Sequence, residues 1–193
     1  AILEGLTPKA IISVDLFGLP ARYRLINQFA KSKNLFLLED AAQGFGGKIG
    51  NQKACTFGDV SATSFFPSKP LGCYGDGGAI FTNNDELAEK IKSIRVHGGG
   101  KDKYDNIRLG LNGRLDTLQA AILIEKLKIF DSELIKRNRI AKTFSDNLNP
   151  NFILPHVPEN YFSCWAQYSI LLNNKQEREK VISFLSNKKN PSM

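Results

Sequence analysis

Short apolar runs alternate along this chain with longer stretches in which apolar residues recur every three or four positions. That pattern predicts a sheet with helices packed on its faces. The run Ile11-Ile12-Ser13-Val14-Asp15-Leu16 predicts a first buried strand, closed by Gly18-Leu19-Pro20. A helix over 21–32 follows, with Leu25, Ile26 and Phe29 as its inward stripe. Further strands are expected at 35–38, 60–65 and 78–82, the last two separated by a loop rich in Pro and Gly. Asn83 or Asn84 can cap the next helix, whose first turn carries Asp85 and Glu86 and which runs to about Val96, before Gly98-Gly99-Gly100. Past a polar stretch at 101–112, Leu115, Leu118, Ile122, Leu127 and Phe130 recur at helical spacing. A second long helix is expected over 131–148, broken by Asn149-Pro150, with the chain dividing into domains at 1–130 and 131–193. A strand at 165–172 and a helix at 176–185 complete the reading.

Composition narrows the class without choosing a function. With 193 residues, 42% hydrophobic and 23% charged, the chain has ordinary globular proportions, which argues against a disordered tail, a collagen-like repeat or a coiled coil. No apolar run approaches the roughly 18 residues of a membrane span and no signal segment leads the chain, so no membrane association and a cytoplasmic location are expected. Cys55, Cys73 and Cys164 are widely spaced, with only His97 and His156 beside them in the composition, so neither a disulfide framework nor a metal site is expected. The balance of 26 Lys and Arg over 19 Asp and Glu gives +7, which suits an anionic small substrate as well as a nucleic acid. No aromatic-and-basic stacking motif supports the latter, and no nucleic-acid partner is expected.

Candidate chemistry gathers at the predicted strand ends. Asp40 follows a strand and so falls at the carboxyl edge of a parallel sheet, where open α/β folds place ligands; it can equally cap a following helix. Gln43, one turn on, adds a second polar group to the same crevice. Lys69 stands in a loop between Pro67 and Pro70, which restrict the backbone around it. Its amine becomes a nucleophile only if desolvation or a nearby cation lowers a pKa that is ordinarily about 10.4; the alternative is a surface lysine in a tight loop. Asp76-Gly77-Gly78 is first of all a turn signal. Gly98-Gly99-Gly100-Lys101 is followed by Asp102, so it is no P-loop, and no G-x-G-x-x-G follows the first strand. Ser64, at the end of its strand, is the better phosphate contact. Asn112 and Arg114 either bind an anion near a helix start or serve as cap and solvated arginine. A carboxylate at one strand end and a lysine beyond another, with hydroxyl and amide groups near, are the components of a pyridoxal phosphate site.

At these residues the sequence resembles the DegT/DnrJ/StrS sugar aminotransferases of the fold-type I pyridoxal phosphate class. The matching stretches are Glu39-Asp40-Ala41-Ala42-Gln43, Ser64 to Lys69 with the following Leu-Gly and Gly-Asp-Gly-Gly, Arg95-Val96-His97-Gly98, and the run from Leu109 to Ala121. Together they cover most of 10–145 in the family's order. The resemblance implies an α/β fold: a large domain built on a mostly parallel sheet with helices on both faces, plus the start of a smaller α+β domain. It implies pyridoxal 5'-phosphate held covalently, as a Schiff base, on Lys69, which then acts as the acid and base of the reaction. Asp40 would pair with the pyridinium nitrogen, Gln43 would meet the ring hydroxyl, Ser64 the phosphate, and Asn112 the phosphate of a neighbouring subunit in a homodimer with shared active sites. Arg114 is a candidate for the substrate's carboxylate or diphosphate; His97 and Tyr104 are either sugar contacts or structural. The implied reaction moves an amino group from an amino acid, glutamate in the family, to a keto sugar nucleotide for surface-polysaccharide synthesis. The wording from 64 to 83 is most similar to members acting on a UDP-linked 3-keto-N-acetylglucosaminuronate. An aminotransferase of 4-keto-6-deoxy sugar nucleotides is the alternative. Family segments upstream of Ala1 and beyond Met193 are not in the sequence, and 191–193 reads as the entry to a strand. The chain is therefore expected to be a fragment truncated at both ends, in itself catalytically inactive.

Overall fold

The computed structural model describes residues 5–102 and 104–190. Its strands are β1 (Ala10–Val14), β2 (Phe36–Asp40), β3 (Lys48–Ile49), β4 (Gln52–Lys53), β5 (Val60–Ser64), β6 (Gly78–Phe81) and β7 (Tyr161–Phe162). Its helices are α1 (Tyr23–Ser32), α2 (Asp85–Arg95), α3 (Thr117–Asn147) and α4 (Lys175–Asn187). The main sheet has the order β1-β2-β5-β6. Its first three strands run parallel, with Val14 beside Asp40 and Asp40 beside Ala62, so their carboxyl ends lie along one edge; β6 is antiparallel to β5. All four expected strands of this sheet are present. The first stops short of its predicted end because Leu16–Gly18 turns away as a 3-10 turn with Phe17 at φ 60.

Side chains alternate across the strands. One face buries Ser13, Asp15, Leu37, Glu39, Ser61 and Thr63. Onto it α1 seats Tyr23 and Ala30, which join Leu37, Ala54 and Phe57, and the Tyr23 ring stacks on Phe57 at 4.5 Å. The stripe expected on α1 is therefore displaced: Ile26 packs inward, while Leu25 and Phe29 are exposed. The hydroxyl of Tyr23 is drawn to Asp15, which sets the helix rotation.

Helix α3 is one unbroken run of 31 residues where two helices were expected. No Gly or Pro lies between Arg114 and Asn149 to interrupt it. Leu123, Phe130, Leu134 and Ala141 form its buried stripe, and the first three pack against Phe65, Leu71, Cys73 and Cys164. Helix α2 has the expected cap, Asn84, whose side chain accepts from the Leu87 N–H.

The strand expected at 165–172 does not form. Trp165 sits at φ 50 and its indole N–H donates to Asn138 Oδ1 at 3.0 Å, while Gln167 N–H donates to the Phe17 carbonyl at 3.3 Å. Anchoring to α3 and to the Phe17 turn takes the place of a ladder, and Leu171 alone in that stretch makes a bridge, to Ile153. Unforeseen was the small antiparallel sheet β4-β3-β7, whose two-residue strands carry no alternation to read. The strand entry expected at 191–193 lies outside the described residues. No described helix is long and apolar enough to cross a membrane.

Candidate active site

The parallel register places the ends of β1, β2 and β5 side by side, and alternation puts Asp40 and Ser64 on the same face of the sheet. No helix follows β2: residues 42–46 are turns, so Asp40 has no helix to cap. Its Oδ1 accepts the Ala42 N–H at 3.0 Å, and among the described residues its Oδ2 takes no hydrogen bond. Gln43 is half-buried on that turn, and its Oε1 accepts the Phe17 N–H at 2.6 Å. With the amide oxygen engaged, what Gln43 has left to offer a ligand is its NH2, a donor.

Ser64 accepts the Phe66 N–H at 3.2 Å, which leaves its hydroxyl proton for an acceptor. Beyond it the chain folds into a tight loop: Lys69 N–H donates to the Phe66 carbonyl at 2.9 Å and Cys73 N–H to the Phe65 carbonyl at 2.7 Å. Gly72 is required here, since a Cβ would lie 2.6 Å from the Pro67 carbonyl oxygen. Two groups of α3 hold the loop from below, Gln119 Oε1 accepting the Tyr74 N–H at 2.8 Å and Lys126 Nζ donating to the Gly72 carbonyl at 2.5 Å. Lys69 at the loop's apex is half-buried, and among the described residues its Nζ makes neither a hydrogen bond nor an ion pair. The set fits pyridoxal phosphate in its chemistry: an acceptor carboxylate for a ring N–H, an amide donor for a phenolate, a hydroxyl for a phosphate, and an unpaired amine for the carbonyl.

The remaining candidates stand on a separate strap, residues 96–114, that doubles back on itself through the bridges Val96–Asn112 and Gly99–Asn106. Gly98 and Gly110 cross there so closely that neither has room for a Cβ. Arg114 Nε donates to Asn112 Oδ1 at 2.9 Å, and both side chains are exposed. The N-cap position of α3 is Asp116, whose side chain makes no capping hydrogen bond, so Asn112 is not the cap. His97 is exposed at φ 58, and Tyr104 is 87% exposed. No hydrogen bond among the described residues ties Asn112, Arg114 or His97 to Asp40, Gln43, Ser64 or Lys69. The structure thus gathers the cofactor candidates at the strand ends and keeps the substrate and cross-subunit candidates on the strap. A concavity of about 980 Å³ lies between β5, β6, α2 and the end of the strap; it is lined by Phe65, Ile80, Ile91, Leu111 and Gly113 among others, and none of Asp40, Gln43, Ser64 and Lys69 borders it.

Sequence reasoning missed Phe17, Gln119 and Lys126, which act on the site through their hydrogen bonds. Signals were present for two of them: a turn ending in Gly18 for the first, and for Gln119 the glycine at 75, against which its side chain packs. The buried thiols of Cys55 and Cys164 are pushed up to about 12, first by loss of solvent, and stay protonated at neutral pH.

Comparison with known proteins places this geometry. The UDP-2-acetamido-2-deoxy-3-oxo-D-glucuronate aminotransferase of Pseudomonas aeruginosa is 47% identical over 179 residues, 91% of this chain and 50% of that protein. A crystal structure of a DegT/DnrJ/EryC1/StrS aminotransferase from Brucella abortus superposes with a TM-score of 0.94 at 50% identity, covering 100% of this chain and 51% of the other. That of NtdA from Bacillus subtilis with bound cofactor PMP gives 0.85 at 31% identity, over 97% of this chain and 43% of the other. The chain spans about half the length of the relatives it matches. Residues 1–191 match the profile of the DegT/DnrJ/EryC1/StrS aminotransferases, and with these likenesses the chain belongs to that family.

Proposed function

We propose that this chain is the cofactor-binding part of a sugar aminotransferase that uses pyridoxal 5'-phosphate to move an amino group from an amino acid, glutamate, to a keto sugar nucleotide. The observation that carries the reading is the convergence of Asp40, Gln43, Ser64 and the Lys69 loop on one sheet edge in a chain of this family. When bound, the cofactor supplies an electron-withdrawing ring that stabilises negative charge on the carbon carrying the nitrogen.

The protein's own groups do the rest. Lys69 Nζ would hold the cofactor through its carbonyl and, as a free amine, would take and return the proton at the reacting carbon. Asp40, through Oδ2, holds the ring nitrogen protonated; Gln43 donates to the ring hydroxyl; Ser64 donates to the phosphate. Residues 1–130 would be the cofactor domain, and 131–193 the rest of the connecting helix with part of a second domain. Arg114 offers the planar, bidentate charge that suits a carboxylate or diphosphate, with His97 and Tyr104 beside it on the strap. Asn112, exposed and accepting from Arg114 Nε, would reach a second subunit's phosphate in a homodimer. The 47% identity to an enzyme named for a UDP-3-oxo-glucuronate favours that substrate class, which would put the enzyme in surface-polysaccharide synthesis in the cytoplasm.

In the full-length protein, Lys69→Ala is expected to abolish amino transfer to the keto sugar nucleotide. Arg114→Ala is expected to raise KM for the sugar nucleotide by about tenfold or more, with the amino-acid half-reaction unchanged. Normal transfer by the Lys69 variant contradicts the reading.

A further inference from the structure

Two carboxylates are fully buried on the inner face of the sheet, beneath the turn that carries Asp40 and Gln43, and the proposed reaction uses neither. Asp15 and Glu39 are both 0% exposed. The register sets Ser13 beside Glu39, so Asp15, two residues on, is Glu39's diagonal neighbour on the same face.

Their hydrogen bonding is unequal. Glu39 Oε1 accepts the Cys55 N–H at 2.6 Å, and Oε2 accepts the Phe57 N–H at 2.7 Å and the Ser61 hydroxyl at 2.6 Å. Three donors suit a carboxylate. Asp15 Oδ1 accepts from the Tyr23 hydroxyl at 2.7 Å and the Ala21 N–H at 3.1 Å, but its buried Oδ2 meets no donor among the described residues. Gly44 packs against that oxygen so tightly that a Cβ would collide with it, which leaves that side closed. A buried, unpartnered carboxylate oxygen beside a second carboxylate is costly unless it carries a proton.

We propose that Asp15 and Glu39 hold one proton between them, as carboxylic acid and carboxylate, and that Asp15 Oδ2–H, donating to Glu39, locks β1 to β2 under the Asp40 turn. The same residue reaches the turn by its backbone, since Asp15 N–H donates to the Asp40 carbonyl at 3.0 Å. The groups facing the pair are Tyr23 from α1, Cys55 from the turn after β4 and Cys164 from the segment after β7, with Arg137 of α3 acting on Cys164. At neutral pH the three nearest are uncharged, the two thiols held up to about 12 and the Tyr23 hydroxyl well above its usual range by burial, and Arg137, beyond Cys164, is the cation that the described residues bring near. Loss of solvent, and then the Glu39 charge, carries the Asp15 carboxyl from 3.8 to about 7. The sign follows from a raised acid: the stabilisation is complete below about 3.8 and is lost as pH rises through about 7, where the proton leaves to solvent and the pair goes from one negative charge to two.

The test is infrared spectroscopy of this chain at about pH 6 and about pH 9, with isotope-labelled aspartate, beside urea unfolding of the chain and of Asp15→Asn. The carboxamide of the variant donates to Glu39 at every pH. A protonated-carboxyl stretch is expected at the lower pH, shifted by the aspartate label and gone at the higher pH, and the urea midpoint is expected to fall across that range in the wild type and stay level in Asp15→Asn. The infrared arm needs no variant to fold. Absence of an aspartate-labelled protonated stretch at about pH 6, or midpoints of the two chains that fall in parallel, overturns the shared proton.

Discussion

The two faces of the main sheet reverse the usual arrangement. The face under α1 and α3 is rich in polar groups, Ser13, Asp15, Glu39, Ser61 and Thr63, every one buried. The opposite face carries Ile12, Val14 and Ile80, which are 66%, 45% and 54% exposed. On the first, Glu39 takes three donors and Thr63 donates to the Ala41 carbonyl at 2.8 Å, so order at the strand ends comes from these hydrogen bonds. On the second, no side-chain hydrogen bond among the described residues ties one strand to the next. The difference teaches where order at the strand ends is generated: behind Asp40 and Ser64, in a polar core, while on the other face their own side chains make only local bonds, to the Ala42 and Phe66 N–H groups.

The comparison can be broken in graded steps. Glu39→Ala would strand the Cys55 and Phe57 amides and the Ser61 hydroxyl without an acceptor, and is expected to cost about 3–5 kcal/mol in urea unfolding, enough to unfold many domains. Tyr23→Phe keeps the stacking on Phe57 but removes a donor from Asp15, for an expected loss of about 1–3 kcal/mol. Gly72→Ala, on the loop rather than the sheet, would push the Pro67 carbonyl; limited proteolysis should show faster cleavage near Lys69 while the thermal midpoint moves by only a few degrees. Ile12→Ser, on the open face, is expected to change the stability of this chain by less than about 1 kcal/mol. If Ile12→Ser proved as damaging as Glu39→Ala, the two faces would not differ as described.

Much of this was legible in the sequence. Short apolar runs located β1, β2, β5 and β6, and the strand-end positions of Asp40 and Ser64 followed from them. What periodicity could not reveal was which face turns inward, because Ser13 and Glu39 are polar residues in the buried half of their strands and Ile12 is an apolar one in the open half. The α1 stripe was misplaced for the same reason: Tyr23 is positioned by a hydrogen bond to Asp15, a partner eight residues away in sequence on another element. Two helices were read where α3 is one, since the turn signals that end helices were sought at a change of domain and none exists between Arg114 and Asn149. The 165–172 segment has the residues of a strand, but long-range bonds to Asn138 and Phe17 capture it first.

The account stands most directly on Lys69 as the amine that binds the cofactor. Incubation with pyridoxal phosphate, reduction with borohydride and peptide mapping by mass spectrometry would locate the fixed adduct. The account predicts that it lies on the peptide containing Lys69 and is lost in Lys69→Arg with Asp40 and Ser64 intact. An adduct spread over the chain's other lysines, or one unchanged in that variant, would contradict it.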